Sequence, residues 1–145
     1  MSKTPEYPSM KSRTLTLTHD IPISKTKTYW EGLKEGNVYA TKCKKCGEVY
    51  YPPQTDCPKC LTSDAEWIQL FEGELETFTQ AYLKPQGFTH YEQNYMIAIA
   101  KTAEGVKVMG WLEDMDVKAA KTGTPVKITA KIMPDGFPTI IFKPK

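Results

Sequence analysis

All four cysteines of this sequence fall in two C-x-x-C pairs, Cys43/Cys46 and Cys57/Cys60, with ten residues between the pairs. Each pair can turn a hairpin knuckle that aims both sulfurs at one point, so the spacing predicts a single tetrahedral metal site. Thiolates are soft ligands that suit zinc or iron in that geometry. Four cysteines fill every coordination position and leave none for water or substrate. The expected cofactor is therefore structural Zn(2+) rather than a catalytic metal. Zinc held by four thiolates carries a net negative charge, which Lys42, Lys44, Lys45 and Lys59 stand beside and can offset. Gly47 follows the first pair, where a tight turn asks for positive φ. Leu61 takes the matching place after the second pair, a point against a rubredoxin-type iron carrier.

Little else in the chain is equipped for chemistry. His90 stands in a polar stretch beside Tyr91 and Glu92, and adjacency in sequence does not make a proton relay. No cysteine is left over as a nucleophile, and no phosphate-binding glycine loop or paired carboxylates are recognisable. The sequence reads as that of a non-enzyme.

The elements that must position the cysteines follow from hydrophobic patterning. Met1–Asp20 is polar, and Thr14–Thr18 alternates with period two, as a short strand or an arm that orders against a partner. Lys25–Gly36 reads as a short helix with Ser24 capping its start and Gly36 at the left-handed position after its end. Tyr29, Trp30 and Leu33 share one face of that helix, with Trp30 the candidate docking side chain. Asn37–Lys42, Glu48–Tyr51 and Ala65–Leu70 are the strands entering and leaving the knuckles, with Trp67 placed to cover the metal. Five strand-like runs follow: Glu72–Leu83, Tyr95–Ala100, Val106–Leu112, Val126–Ile132 and Pro138–Phe142. In the first of them Leu75, Thr77, Thr79, Ala81 and Leu83 fall on one face. Pro134-Asp135-Gly136 turns a hairpin between the last two, and Asp114–Lys121 is expected to hold a short helical turn.

The fold class is mainly β: an N-terminal helix and a rubredoxin-like zinc ribbon, then a five-stranded OB-fold barrel, with an SH3-like barrel as the rival. The expected divisions are 1–36 for the arm and helix, 37–70 for the ribbon and 71–145 for the barrel. The connection Lys84–Asn94 is long and holds two aromatics. Loops of that length are often functional, and Lys84, Phe88 and Tyr91 are candidate contacts to a ligand or partner.

Composition narrows the functional classes. Hydrophobic residues make up 40% and charged residues 25%, with a net charge of +2. Such a balance suits an ordinary globular chain with no strong field toward anionic surfaces. Arg13 is the sole arginine, and residues 71–145 hold nine basic and nine acidic side chains. Guanine and phosphate readout recruits arginine, so a nucleic-acid partner is disfavoured. No signal-peptide core or membrane-spanning run is evident. A cytoplasmic location is expected, where a reducing environment keeps thiols available for metal.

The ordered set Tyr29-Trp30-Glu31-Gly32-Leu33-Lys34-Glu35-Gly36, Cys43-x-x-Cys46-Gly47, Tyr51-Pro52-Pro53 and Cys57-Pro58-x-Cys60 resembles the N-terminal half of the zinc-ribbon/OB-fold acyl-CoA-associated proteins. Gly73–Thr79, Pro85–Phe88 and Tyr95–Gly105 resemble parts of their barrel, and the likeness runs from about Ile21 onward. That resemblance implies an accessory scaffold working beside thiolase-fold enzymes, of the acetoacetyl-CoA thiolase and hydroxymethylglutaryl-CoA synthase type or of lipid side-chain degradation. It also implies a share in a CoA or acyl-CoA site. The lysine-rich, arginine-poor composition offers no obvious phosphate clamp, so a site completed by the partner is expected. The alternative is a single-stranded nucleic-acid-binding protein, since zinc ribbons and OB barrels both serve there.

Overall fold

The computed structural model describes residues 7–83 and 94–145. Lys84, Phe88 and Tyr91 lie outside the described residues. From Tyr7 to Ser24 the chain is exposed and forms no helix or strand, with Leu15 and Leu17 both facing solvent.

One helix, α1 (Lys27–Lys34), opens the folded part. It starts later than the Ser24 cap predicts: Thr26 is the N-cap and makes no side-chain capping bond. Ser24 instead lies within a turn closed by the Thr26 N–H on the Ile23 carbonyl. The end of the helix is as expected. Gly36 takes φ +89°, the Asn37 N–H reaches the Gly32 carbonyl and the Gly36 N–H that of Leu33. This pair of bonds is a Schellman motif, which satisfies carbonyls the helix leaves open.

Three strands, β1 (Val38–Cys43), β2 (Val49–Tyr50) and β3 (Ala65–Leu70), form an antiparallel sheet in the order β2-β1-β3. Five more close a barrel: β4 (Glu72–Ala81), β5 (Tyr95–Thr102), β6 (Lys107–Leu112), β7 (Pro125–Ile132) and β8 (Pro138–Pro144), in the order β4-β5-β6-β8-β7. The β6–β8 pair is parallel and every other pair antiparallel. This is the five-stranded Greek-key barrel of the OB type. The Pro134–Gly136 hairpin is present, with the Gly136 N–H on the Met133 carbonyl. Asp116 holds a single turn through the N–H groups of Ala119 and Ala120.

The alternation expected along the first barrel strand does not survive. Leu75 is buried, but Thr77 and Thr79 are exposed, and Phe78 packs against the core. A β-bulge is the cause: Leu75 pairs with Ala100 and Thr77 with Ile99, so Glu76 is an extra residue. One inserted residue moves every later side chain to the opposite face. The run Tyr95–Ala100, apolar without a break in sequence, alternates in its burial. Met96, Ala98 and Ala100 point into the barrel, while Tyr95, Ile97 and Ile99 lie half-buried on its outer face.

The core does not stop at the end of the ribbon. One hydrophobic cluster joins Leu33, Val38, Ala40 and Leu70 to Leu75, Val108, Val126 and Phe142 of the barrel. Backbone bonds cross the same seam. The Ala130 N–H and the Thr129 hydroxyl both donate to the Gly36 carbonyl, and the Ile128 N–H donates to that of Phe71. No helix among the described residues is long and apolar enough to cross a membrane.

Candidate metal centre and the adjoining groove

The two knuckles are built alike. In the first, the Cys43 N–H donates to the Glu48 carbonyl at 2.9 Å and the Gly47 N–H to the Cys43 carbonyl at 2.8 Å. In the second, the Cys57 N–H donates to the Thr62 carbonyl at 2.8 Å and the Leu61 N–H to the Cys57 carbonyl at 2.9 Å. Gly47 and Leu61 occupy equivalent positions, with φ of +76° and +52°. The leucine there is costly because its Cβ crowds the following carbonyl. A further bond from the Lys44 N–H to the Asp64 carbonyl ties the first knuckle to the exit of the second.

This geometry brings Cys43, Cys46, Cys57 and Cys60 together, with all four Sγ atoms within 4.8 Å of one another. The Cys46 and Cys57 sulfurs are 3.7 Å apart. Four sulfurs at about 2.3 Å from a tetrahedral zinc lie about 3.8 Å from each other, so the donor set fits that ion. The sulfurs are not equivalent in exposure: Cys43 and Cys57 are buried, Cys60 is intermediate and Cys46 is exposed.

Electrostatics around the sulfurs favour thiolates at the inner ligands. The backbone N–H groups of Cys46 and Lys45 lower the Cys43 thiol. Cys57 is drawn down to about 6, chiefly by the hydroxyl of Tyr50, with the N–H groups of Cys60 and Lys59 helping. Cys60 is pushed up to about 12 by its hydrogen bond with Cys46 and by burial. A dication bound by the four sulfurs would displace the proton held there. Two of the flanking lysines also serve carboxylates: Lys59 pairs with Glu48 at 2.8 Å and Lys44 with Asp64 at 3.2 Å. The lysine cluster is therefore partly neutralised.

Two side chains that sequence patterning did not single out, Tyr50 and Thr41, complete the site. Tyr50 on β2 places its hydroxyl 3.4 Å from Cys57 Sγ. Trp67, expected to cover the metal, stands half-buried on β3 opposite Thr41. The fully buried Thr41 donates its hydroxyl to the Gln54 carbonyl at 2.7 Å and accepts the Gln54 N–H at 2.8 Å. It thereby pins the segment between the knuckles. No local motif marks Tyr50 or Thr41, because each acts across the ribbon on residues distant in sequence.

Trp30 lies where α1 meets the barrel. Its ring packs edge-on against Tyr29 at 5.3 Å and against Phe137 of the last hairpin at 6.2 Å. A groove of about 370 Å³ opens beside it, lined among others by Ile97, Met109, Gly110, Phe137 and Ile140, with no charged residue in its walls. Met109 is 66% and Phe137 53% exposed. The alternation of β5 and β6 puts Ile97 and Met109 outside the barrel, a placement invisible until the barrel closes.

Comparison with known proteins agrees with this architecture. Residues 30–66 match the family described as ChsH2, rubredoxin-like zinc ribbon domain, and residues 71–131 match ChsH2, C-terminal OB-fold domain. A DUF35 domain-containing scaffold protein of Methanocaldococcus jannaschii is 31% identical over 124 residues, covering 79% of this chain and 87% of that protein. A probable enoyl-CoA hydratase alpha subunit of Thermomonospora curvata is 23% identical over 72% of this chain and 33% of its own length. Among solved structures, the Ltp2-ChsH2(DUF35) aldolase superposes with a TM-score of 0.71 at 20% identity, over 81% of this chain and 91% of that one. That last likeness concerns the fold.

Proposed function

This chain belongs to the DUF35 family of zinc-ribbon and OB-fold scaffold proteins, and from that premise we propose that it is a non-catalytic docking subunit for a thiolase-fold enzyme. The observation that carries the reading is the uncharged groove between α1 and the β5–β6 face. OB domains commonly present the corresponding face to their ligands. Here it offers Ile97, Ile99, Met109 and Trp111, next to Trp30 and Phe137. Exposed apolar surface of this kind, rimmed by polar residues, suits a protein partner. It does not suit single-stranded nucleic acid, which needs a basic track for its backbone.

The metal centre supports the same reading. Four cysteines close the coordination shell, so a bound zinc would supply folding energy and no open position for substrate. The ribbon would hold α1 and Trp30 at the edge of the docking face. A share in an acyl-CoA site is the finer part of the proposal. It draws on the enzymes named among the relatives, an enoyl-CoA hydratase subunit and an aldolase complex. Lys84, Phe88 and Tyr91 remain the proposed contacts: a lysine can meet a CoA phosphate and an aromatic can stack on adenine. With one arginine in the chain, the partner would supply the rest of the phosphate site.

The test is co-expression with candidate thiolase-fold enzymes (acetoacetyl-CoA thiolase, hydroxymethylglutaryl-CoA synthase and thiolase-like aldolases) from the same organism, followed by size-exclusion chromatography and isothermal titration with and without acetyl-CoA. The expected result is a stable complex with one of them, weakened at least tenfold by Met109→Lys, with the fold of the variant intact. A failure of every such enzyme to bind, or a complex indifferent to Met109→Lys, would overturn the reading.

A further inference from the structure

The knuckles repeat each other so closely that their inner cysteines ought to be alike. Each inner sulfur has two backbone N–H groups of its own knuckle favouring its thiolate: Lys45 and Cys46 for Cys43, Lys59 and Cys60 for Cys57. Both are buried. The departure from this symmetry is a phenol. Tyr50 on β2 points its hydroxyl at Cys57 Sγ, 3.4 Å away, and among the described residues no tyrosine hydroxyl is placed on Cys43. The outer cysteines differ as well, since Cys46 is exposed and Cys60 intermediate.

A thiolate bound to metal carries no proton, so in the loaded site Tyr50 is the donor and Cys57 the acceptor. Donation to a ligand sulfur withdraws electron density from it. The sulfur becomes a poorer nucleophile, and its lone pairs drop in energy relative to the metal. We infer that Tyr50 is a positioning residue that makes the four ligands chemically unequal. It fixes Cys57 as the most inert sulfur and leaves exposed Cys46 as the one through which metal is lost or exchanged. The order of lability is thus set from β2, outside both knuckles.

The test uses the full chain loaded with zinc, or with cobalt as a spectroscopic probe. Tyr50→Phe is compared with Tyr51→Phe, which removes the neighbouring phenol that bonds Tyr29 rather than a sulfur. Three readouts are expected to move in Tyr50→Phe and not in Tyr51→Phe. The sulfur-to-cobalt charge-transfer band shifts to lower energy. Zinc passes to a chromogenic chelator about tenfold faster, the lower end of what losing a partner of a ligand typically does. Iodoacetamide footprinting, which marks Cys46 first and Cys57 last in the parent chain, loses that protection of Cys57. An unchanged band and unchanged release rate in Tyr50→Phe would overturn the inference, as would equal alkylation of Cys46 and Cys57 in the parent. Should Tyr50→Phe fail to fold, 3-fluorotyrosine placed at position 50 keeps the ring and strengthens the donor. The band must then move to higher energy, and no movement overturns the assignment.

Discussion

The hydroxyls of Tyr29 and Tyr51 lie 3.0 Å apart, joining helix α1 to the chain leaving β2. Their rings meet edge-on at 6.2 Å. Tyr50 and Tyr51 thus serve opposite sides: the first faces a ligand sulfur, the second the helix that carries Trp30. Metal centre and apolar groove are linked through two adjacent residues.

That link is expected to be alkali-sensitive. Burial raises both phenols above the ordinary tyrosine value of about 10. A proton held more tightly in the folded state stabilises it below the unfolded value, and the benefit fades as pH rises through and beyond about 10. Tyr51→Phe should cost about 1 kcal/mol at neutral pH, the net worth of a typical hydrogen bond. It should also flatten the decline in stability above pH 10. Urea titrations from neutral to alkaline pH check both; a parent and variant with the same alkaline slope would refute the account.

Leu61 occupies the position that Gly47 holds in the twin knuckle, at φ +52° and 88% exposed. Leu61→Gly should therefore stabilise the zinc-loaded chain, by about 1 kcal/mol, through relief of left-handed strain. The reciprocal change, Gly47→Leu, should destabilise by a similar amount. Thermal unfolding of both loaded variants measures this, and a lower melting temperature for Leu61→Gly contradicts it.

Gly110 lets β8 approach β6. A Cβ there would stand 2.9 Å from Ile140 Cγ2, 3.0 Å from the Ile140 carbonyl oxygen and 3.0 Å from Phe142 Cζ. Ile140 and Phe142 sit on a strand locked at both sides, so the clash cannot be relieved by one side chain. Gly110→Ala should cost about 1–3 kcal/mol, the usual penalty for overpacking. Equilibrium denaturation gives the number, and a neutral result would mean that β8 yields more easily than its pairing suggests.

Removing the metal should divide the molecule. The knuckles lose the bonds that close them, while the barrel keeps its closed ladder. Hydrogen exchange after chelation under reducing conditions should show residues 38–70 losing protection and residues 95–112 retaining it. Cys46→Ser should reproduce the effect in milder form and weaken binding to the proposed enzyme partner. Uniform loss across the chain would instead mean that the shared cluster around Leu33, Val38 and Phe142 makes ribbon and barrel one cooperative unit.

The sequence by itself determined whatever depends on neighbours along the chain. Cysteine spacing placed the two knuckles, alternating and continuous apolar runs placed the five barrel strands, and Gly36 and Pro134-Asp135-Gly136 marked where a helix ends and a hairpin turns. Each is a short-range preference of backbone and side chain, written in a few consecutive residues. Tertiary structure decided which faces those elements show. The bulge at Glu76 arises only when β4 is laid against β5, and it turned Phe78 inward and Thr77 outward. Closing the barrel sent Ile97 and Met109 outside, where α1 and Phe137 make a groove of them. The bond from Tyr50 to Cys57 likewise needs β2 folded back over the second knuckle. Facing is set by strand pairing and closure between residues far apart in sequence, and no local pattern carries that information.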